Sequence, residues 1–73
     1  MAEEIIFEFR TVGDTLRVTA ISSETLTEVT LVAPANAARH DLIRLAERKL
    51  RTVEARAAHS IRRRRERSRG LLV

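Results

Sequence analysis

The period of the apolar residues changes once along this chain, at Ala33-Pro34-Ala35-Asn36, and that change sets the fold. Before it the pattern alternates. Ile5, Phe7 and Phe9 alternate with Ile6, Glu8 and Arg10; Leu16, Val18 and Ala20 with Arg17, Thr19 and Ile21; Thr27, Val29 and Leu31 with Glu28, Thr30 and Val32. A period of two is the signature of strands with one covered face. After Asn36, a reasonable N-cap, the period becomes helical. Leu42, Leu45, Leu50, Val53 and Ala57 form the expected stripe, with Ala38, Ala46 and Ile61 at its margins. No Gly or Pro interrupts residues 37 to 69, so one long helix is allowed. The expected class is α+β: a three-stranded antiparallel meander followed by one long C-terminal helix, β-β-β-α in two layers.

Two turns fix the registers. Gly13-Asp14 is a favoured two-residue hairpin loop, because Gly supplies a positive φ without steric cost. It pairs Phe9 with Val18, Phe7 with Ala20 and Ile6 with Ile21. A second turn centred on Ser23-Glu24 pairs Val18 with Val29, Leu16 with Leu31 and Thr19 with Glu28. Both registers keep one apolar set on one face. Arg10 falls opposite Arg17, an unfavourable pair that Glu8 and Glu28 are expected to offset diagonally.

The helix stripe is expected to cover Phe7, Phe9, Leu16, Val18, Val29 and Leu31. The other sheet face is mixed, with Ile6, Val12, Ile21, Leu26 and Val32 among Glu8, Arg10, Arg17, Thr19 and Thr30. Two readings stand. Bare aliphatics mark a partner surface, or they are the scattered apolar residues of any small protein. On the first reading Ile6, Val12, Ile21 and Val32 are the candidate oligomer face.

Charge is sorted along the same plan. Residues 1–35 hold two arginines against six acids, a net of −4; residues 36–60 net +3; residues 61–73 hold six arginines against Glu66, a net of +5. The first two blocks are the polar sides of a sheet and of a core-covering helix. The third has no folding explanation. The expected division is therefore a β-β-β-α domain over 1–60 and an arginine-rich extension over 61–73, frayed or disordered without a partner.

Seventy-three residues make one thin-cored domain, for which oligomerisation is a common support. There is no cysteine, hence no disulfide or thiolate site, and the residues suggest no cofactor and no small-molecule substrate. The longest apolar run, Ile5-Ile6-Phe7, is too short for a bilayer, and the acidic start is unlike a targeting peptide; the expectation is a cytoplasmic protein without a membrane role. Neither His40 nor His59 has a second ligand at metal spacing. His59 and Ser60 are adjacent, so on a helix they diverge rather than forming a nucleophile–base pair. Lys49, the one lysine, reads as a flank of the apolar stripe. A non-enzyme is expected.

The cluster Arg62, Arg63, Arg64, Arg65, Arg67 and Arg69 carries the functional weight. Guanidinium groups suit phosphate oxygens, and such a cluster binds nucleic acid by phosphate contact with little sequence selectivity. No aromatic residue is interleaved for base stacking. Three readings remain open: nucleic acid or a ribosome, an acidic protein surface, or a solvated helix end that favours the helix dipole.

Glu3 to Gly13, then Leu16-Arg17-Val18-Thr19-Ala20-Ile21, Thr27-Glu28-Val29-Thr30 and Val32-Ala33-Pro34-Ala35, with Leu45-Ala46, Arg48-Lys49-Leu50 and Val53, resemble a family of short uncharacterised bacterial proteins, a domain of unknown function. Some members carry a serine hydroxymethyltransferase label. That label implies a large pyridoxal phosphate fold with a cofactor lysine and a substrate pocket, none of which can be placed in these residues. Against the family pattern the second turn lacks a glycine beside Thr27, and the arginine-rich extension is long. The leading expectation is a small non-enzymatic interaction module, oligomeric, with a cationic arm. The alternatives are a nucleic-acid- or ribosome-associated accessory protein and a component of a phage-like particle.

Overall fold

The computed structural model describes residues 4–70, and the side chains of residues 4–68. Three strands, β1 (Ile5–Val12), β2 (Thr15–Ser22) and β3 (Glu28–Pro34), precede one helix, α1 (Arg39–Gly70). The sheet is an antiparallel meander in the order β1-β2-β3. This is the expected α+β architecture. The tail Leu71-Leu72-Val73 lies outside the described residues.

The first hairpin follows the expected register throughout, from Ile6 opposite Ile21 to Phe9 opposite Val18. Gly13 has φ +60 while Asp14 does not enter the positive-φ region, so the loop has its glycine first, as a type II′ turn requires. Thr15 Oγ1 donates to Val12 O at 2.7 Å and locks the loop.

The second register differs from expectation by two residues. Val18 faces Leu31, Ala20 faces Val29, Leu16 faces Ala33 and Thr19 faces Thr30. The loop is longer than a two-residue turn. Ser22 N–H donates to Thr27 O at 3.0 Å, and Leu26 N–H donates back to Ser22 O at 2.9 Å. Leu26 takes φ 59 to close it. A shift of two preserves side-chain parity, so the same residues stay on the same face. It also moves Glu28 opposite Ile21, away from Arg17. Only Glu8, opposite Thr19, is left diagonal to Arg17.

The helix begins later than expected. Ala37 N–H donates to Pro34 O at 3.0 Å and Ala35 N–H to Asp14 O at 2.8 Å. Asn36 is thus spent inside a turn that reverses the chain over the sheet, and it is not the N-cap. Ala38 holds that position, its carbonyl accepting Leu42 N–H at 3.2 Å. Asp41 in the first turn supplies the favourable negative charge.

The core is Leu16, Val18, Ala20 and Val29 from the sheet and Leu42, Ala46 and Leu50 from the helix. Ile5, Phe7, Phe9, Leu31, Ala33, Ala37 and Val53 pack around it, partly buried. Two expected stripe residues fall outside. Leu45 stands about 100° round the helix from Ala46 and is 47% exposed. Ala57 is on the covered side by spacing but is exposed, because no strand lies beneath it. Helix α1 lies across β2 and β3. That placement leaves β1 at the side, and its two phenylalanines are partly buried at the rim of the core.

Candidate interaction surfaces

Helix α1 is twice as long as the sheet needs. Its 32 residues span about 48 Å at 1.5 Å each, whereas an eight-residue strand spans about 26 Å. The last helix side chains short of full exposure are Val53 and Glu54. Glu54 is also the last tie to the sheet layer. Its Oε2 accepts Thr25 Oγ1–H at 2.7 Å, Thr27 N–H donates to that same hydroxyl oxygen at 3.2 Å, and Arg51 Nη1 lies 3.6 Å from Glu54 Oε1. Every described side chain from Ala55 to Ser68 is exposed. Packing of the helix on the sheet layer therefore ends at residue 54, and the helical backbone runs on to residue 70, about 24 Å further.

Arg62, Arg63, Arg64, Arg65 and Arg67 all stand on this projecting part, exposed; the side chain of Arg69 lies outside the described residues. One side of the helix gathers His59, Ser60, Arg63, Arg64 and Arg67 around a shallow, open surface. Their offsets of one, four, five and eight residues put them on adjacent ridges two turns long. Sequence reasoning had set His59 and Ser60 aside from the arginines, although the helical offsets already join them. Arg62 Nη2 lies 3.4 Å from His59 Nδ1. Glu66 is the one acid after Glu54. Near the other helix end, His40 Nε2 sits 3.2 Å from Asp41 Oδ1, both exposed. No group of three or more His, Cys, Asp or Glu side chains placed to hold a metal occurs among the described residues. No described helix is long and apolar enough to cross a membrane.

On the open sheet face the cross-strand rows are Ile6–Ile21–Glu28, Glu8–Thr19–Thr30, Arg10–Arg17–Val32 and Val12–Thr15–Pro34. Thr19 Oγ1 and Thr30 Oγ1 meet at 3.5 Å in the second row. The four candidate oligomer residues do not form one patch. Ile6 and Ile21 are neighbours at one end, while Val12 and Val32 occupy opposite edges at the other, separated by arginine and threonine. Ile6, Val12 and Val32 are 54%, 49% and 62% exposed, and Ile21, on the central strand, is partly buried.

The two sheet edges differ. Because Ser22 N–H donates to Thr27 O, Val29, Leu31 and Ala33 turn their backbone groups towards β2, and Glu28, Thr30, Val32 and Pro34 turn theirs outward. Pro34 has no N–H to offer, and Thr30 O accepts Lys49 Nζ at 3.1 Å. The β3 edge is thus blunted by a proline and a lysine, two common ways of protecting an edge. On β1, Ser23 N–H donates to Glu4 O, so the even-numbered residues face β2 and Ile5, Phe7, Phe9 and Thr11 face outward. No Pro, Lys or bulge interrupts this edge.

A family model, described as Domain of unknown function (DUF6898), matches residues 2–57, and the chain belongs to that family. The match ends three residues after the last packed side chain, Glu54, so it spans the packed fold and stops before the arginine arm. No curated protein and no solved structure matches the chain.

Proposed function

We propose that this member of a family of unknown function is a non-enzymatic interaction module: a small β-β-β-α base that self-associates and holds out a rigid cationic arm for an acidic macromolecular partner. The observation that carries this reading is the second half of α1. A helix that leaves its own sheet, with its described arginines exposed and one acid among them, contributes nothing to the core. It presents a dense positive field to solvent, which attracts polyanionic surfaces.

A second reading, phosphate-backbone binding to nucleic acid or a ribosome, is favoured by the stripe of Ser60, Arg63, Arg64 and Arg67. It offers guanidinium forks and a hydroxyl along two successive turns, at about 6 Å per i, i+4 step. The test is recovery of tagged full-length chain from its own cell, with and without nuclease, beside a chain ending at Ala57. Protein partners that survive nuclease and need the arm support the first reading. Partners that vanish with nuclease support the second, and duplex binding should then fall with salt at a log–log slope of about −4 to −5 for five phosphate contacts. Equal recovery by the shortened chain removes both roles for the arm.

A further inference from the structure

We propose that β1 is the self-association element, pairing antiparallel with β1 of a second copy to make a continuous six-stranded sheet with its two-fold axis at Phe9. The proposal rests on the reading that the module self-associates, and it names where and in what register.

Three observations converge on this edge. The first is the asymmetry between edges. Four of the eight residues of β1, Ile5, Phe7, Phe9 and Thr11, present a regular row of outward backbone groups, whereas the β3 edge is closed by Pro34 and by Lys49 on Thr30 O. An unprotected regular edge is a template for another strand. The second is cover. Phe7 and Phe9, the only aromatic residues in the chain, are packed against the rim of the core and only partly buried, because α1 lies over β2 and β3. From the helix, Arg39 lies over Phe9, its Cζ 5.0 Å from the ring centroid. A strand laid beside β1 shields what the helix leaves open.

The third is the sequence of β1 itself, which is self-complementary in one register. With Phe9 opposite the partner's Phe9, Glu8 meets the partner's Arg10, Phe7 meets the partner's Thr11, and Ile6 meets the partner's Val12. The backbone agrees with this alignment. Outward-facing Phe7, Phe9 and Thr11 become the hydrogen-bonded pairs, and Glu8–Arg10 and Ile6–Val12 become the closer, non-hydrogen-bonded pairs. Moving the axis to Glu8 would instead set like charges opposite each other. The chosen register also resolves the tension inside the protomer. Arg10 opposite Arg17 is unfavourable alone, and each Arg10 gains the partner's Glu8 on its other side. Ile6 and Val12, separated within one copy, come together across the two-fold.

The test uses the full-length chain in sedimentation velocity over a concentration series, with three variants on the exposed open face: Glu8→Arg, Arg10→Glu, and both together. Each single exchange turns two attractive cross-strand pairs repulsive and is expected to weaken the dimer about tenfold or more; the double exchange restores it. Thermal unfolding monitors the fold of each variant. A second readout uses the absence of cysteine from the chain. Glu8→Cys mixed with Arg10→Cys should form a disulfide-linked pair under mild oxidation, because a non-hydrogen-bonded pair brings Cα atoms to about 4.5 Å, within disulfide reach. A dimer indifferent to all three charge variants and without that cross-link overturns the β1 edge while leaving self-association standing. A strict monomer at high micromolar concentration overturns both.

Discussion

Lys49 reaches from the helix to donate its ammonium to the carbonyl of Thr30 at 3.1 Å, on the outer edge of β3. The contact ties two layers and removes one acceptor from an edge that Pro34 already deprives of a donor. Lys49→Met keeps the stem that covers the helix flank and deletes the cap. The loss in stability is expected to be small, about 0.5–1 kcal/mol for an exposed charged hydrogen bond. The larger effect should be on assembly. With Thr30 O freed, the second edge becomes available, and sedimentation should show species beyond the wild-type size as concentration rises. An unchanged size distribution would mean that Pro34 alone suffices to close this edge.

Leu26 occupies the left-handed region, φ 59, with its side chain 77% exposed. A non-glycine residue there costs roughly 1–2 kcal/mol, and an exposed leucine recovers little of it by packing. Leu26→Gly relieves that cost but loosens the unfolded chain by about 0.4–1 kcal/mol. The net expectation is a gain of about 0.5–1 kcal/mol, seen as a midpoint several degrees higher in thermal unfolding. Leu26→Ala, which keeps the Cβ, should gain nothing. If both variants behave alike, backbone strain at this turn is not what limits stability.

This turn also shows where sequence reasoning stopped. Alternation gave each strand its inward face, and Gly13 gave the first hairpin its register outright. Nothing in Ser22-Ser23-Glu24-Thr25-Leu26-Thr27 distinguishes a two-residue turn from a five-residue loop. The missing glycine beside Thr27 was legible, but its meaning was not: Leu26 takes a positive φ, a conformation that favours glycine. Because parity survives a shift of two, the faces were right while the partners were wrong. On the helix, Leu42, Leu50 and Val53 were legible as part of a stripe, but Ala46 stood only at its margin and Leu45 looked equally apolar. Only the tilt of α1 over β2 and β3 decides against it. For the surfaces, the arginine run was plain in the sequence. The unequal protection of the two sheet edges was not, since it depends on which backbone groups face outward.

The two leucines five residues apart therefore make a sharp comparison. Leu50 is fully buried at the centre of the core, and Leu45 is about half-exposed. Leu50→Ala should cost about 2–5 kcal/mol, the range for a large-to-small change at a closed site. A domain with this little core has total stability of similar size, so the variant should be largely unfolded at room temperature by circular dichroism. Leu45→Ala should shift stability by less than about 1 kcal/mol. Comparable losses at both positions would show that Leu45 is covered in solution, as self-association over this helix face would require.

Glu54 closes the packed part of the helix. Its carboxylate accepts the Thr25 hydroxyl, and its side chain is 15% exposed. Glu54→Ala should cost about 1.5–3 kcal/mol, the range for a hydrogen bond to a charged group. Thr25→Val, which removes the donor and keeps the shape, should cost a similar amount, and the double variant much less than the sum. Fully additive losses in urea unfolding would mean that the two side chains act independently.

Beyond Glu54 the helix has no sheet beneath it, and the family match ends at residue 57. A chain ending at Ala57 should therefore keep the stability of the whole within about 0.5 kcal/mol, while its far-ultraviolet helix signal falls. The same shortening removes six arginines, Arg62, Arg63, Arg64, Arg65, Arg67 and Arg69, so binding to a polyanion such as heparin should collapse at low salt. Separation of the two effects is the point of the experiment. A base that stays folded and self-associated without its arm assigns assembly to the sheet and adhesion to the helix. A loss above about 1 kcal/mol on shortening would instead make residues 58–70 part of the fold, and the arginines would then owe their placement to stability rather than to a partner.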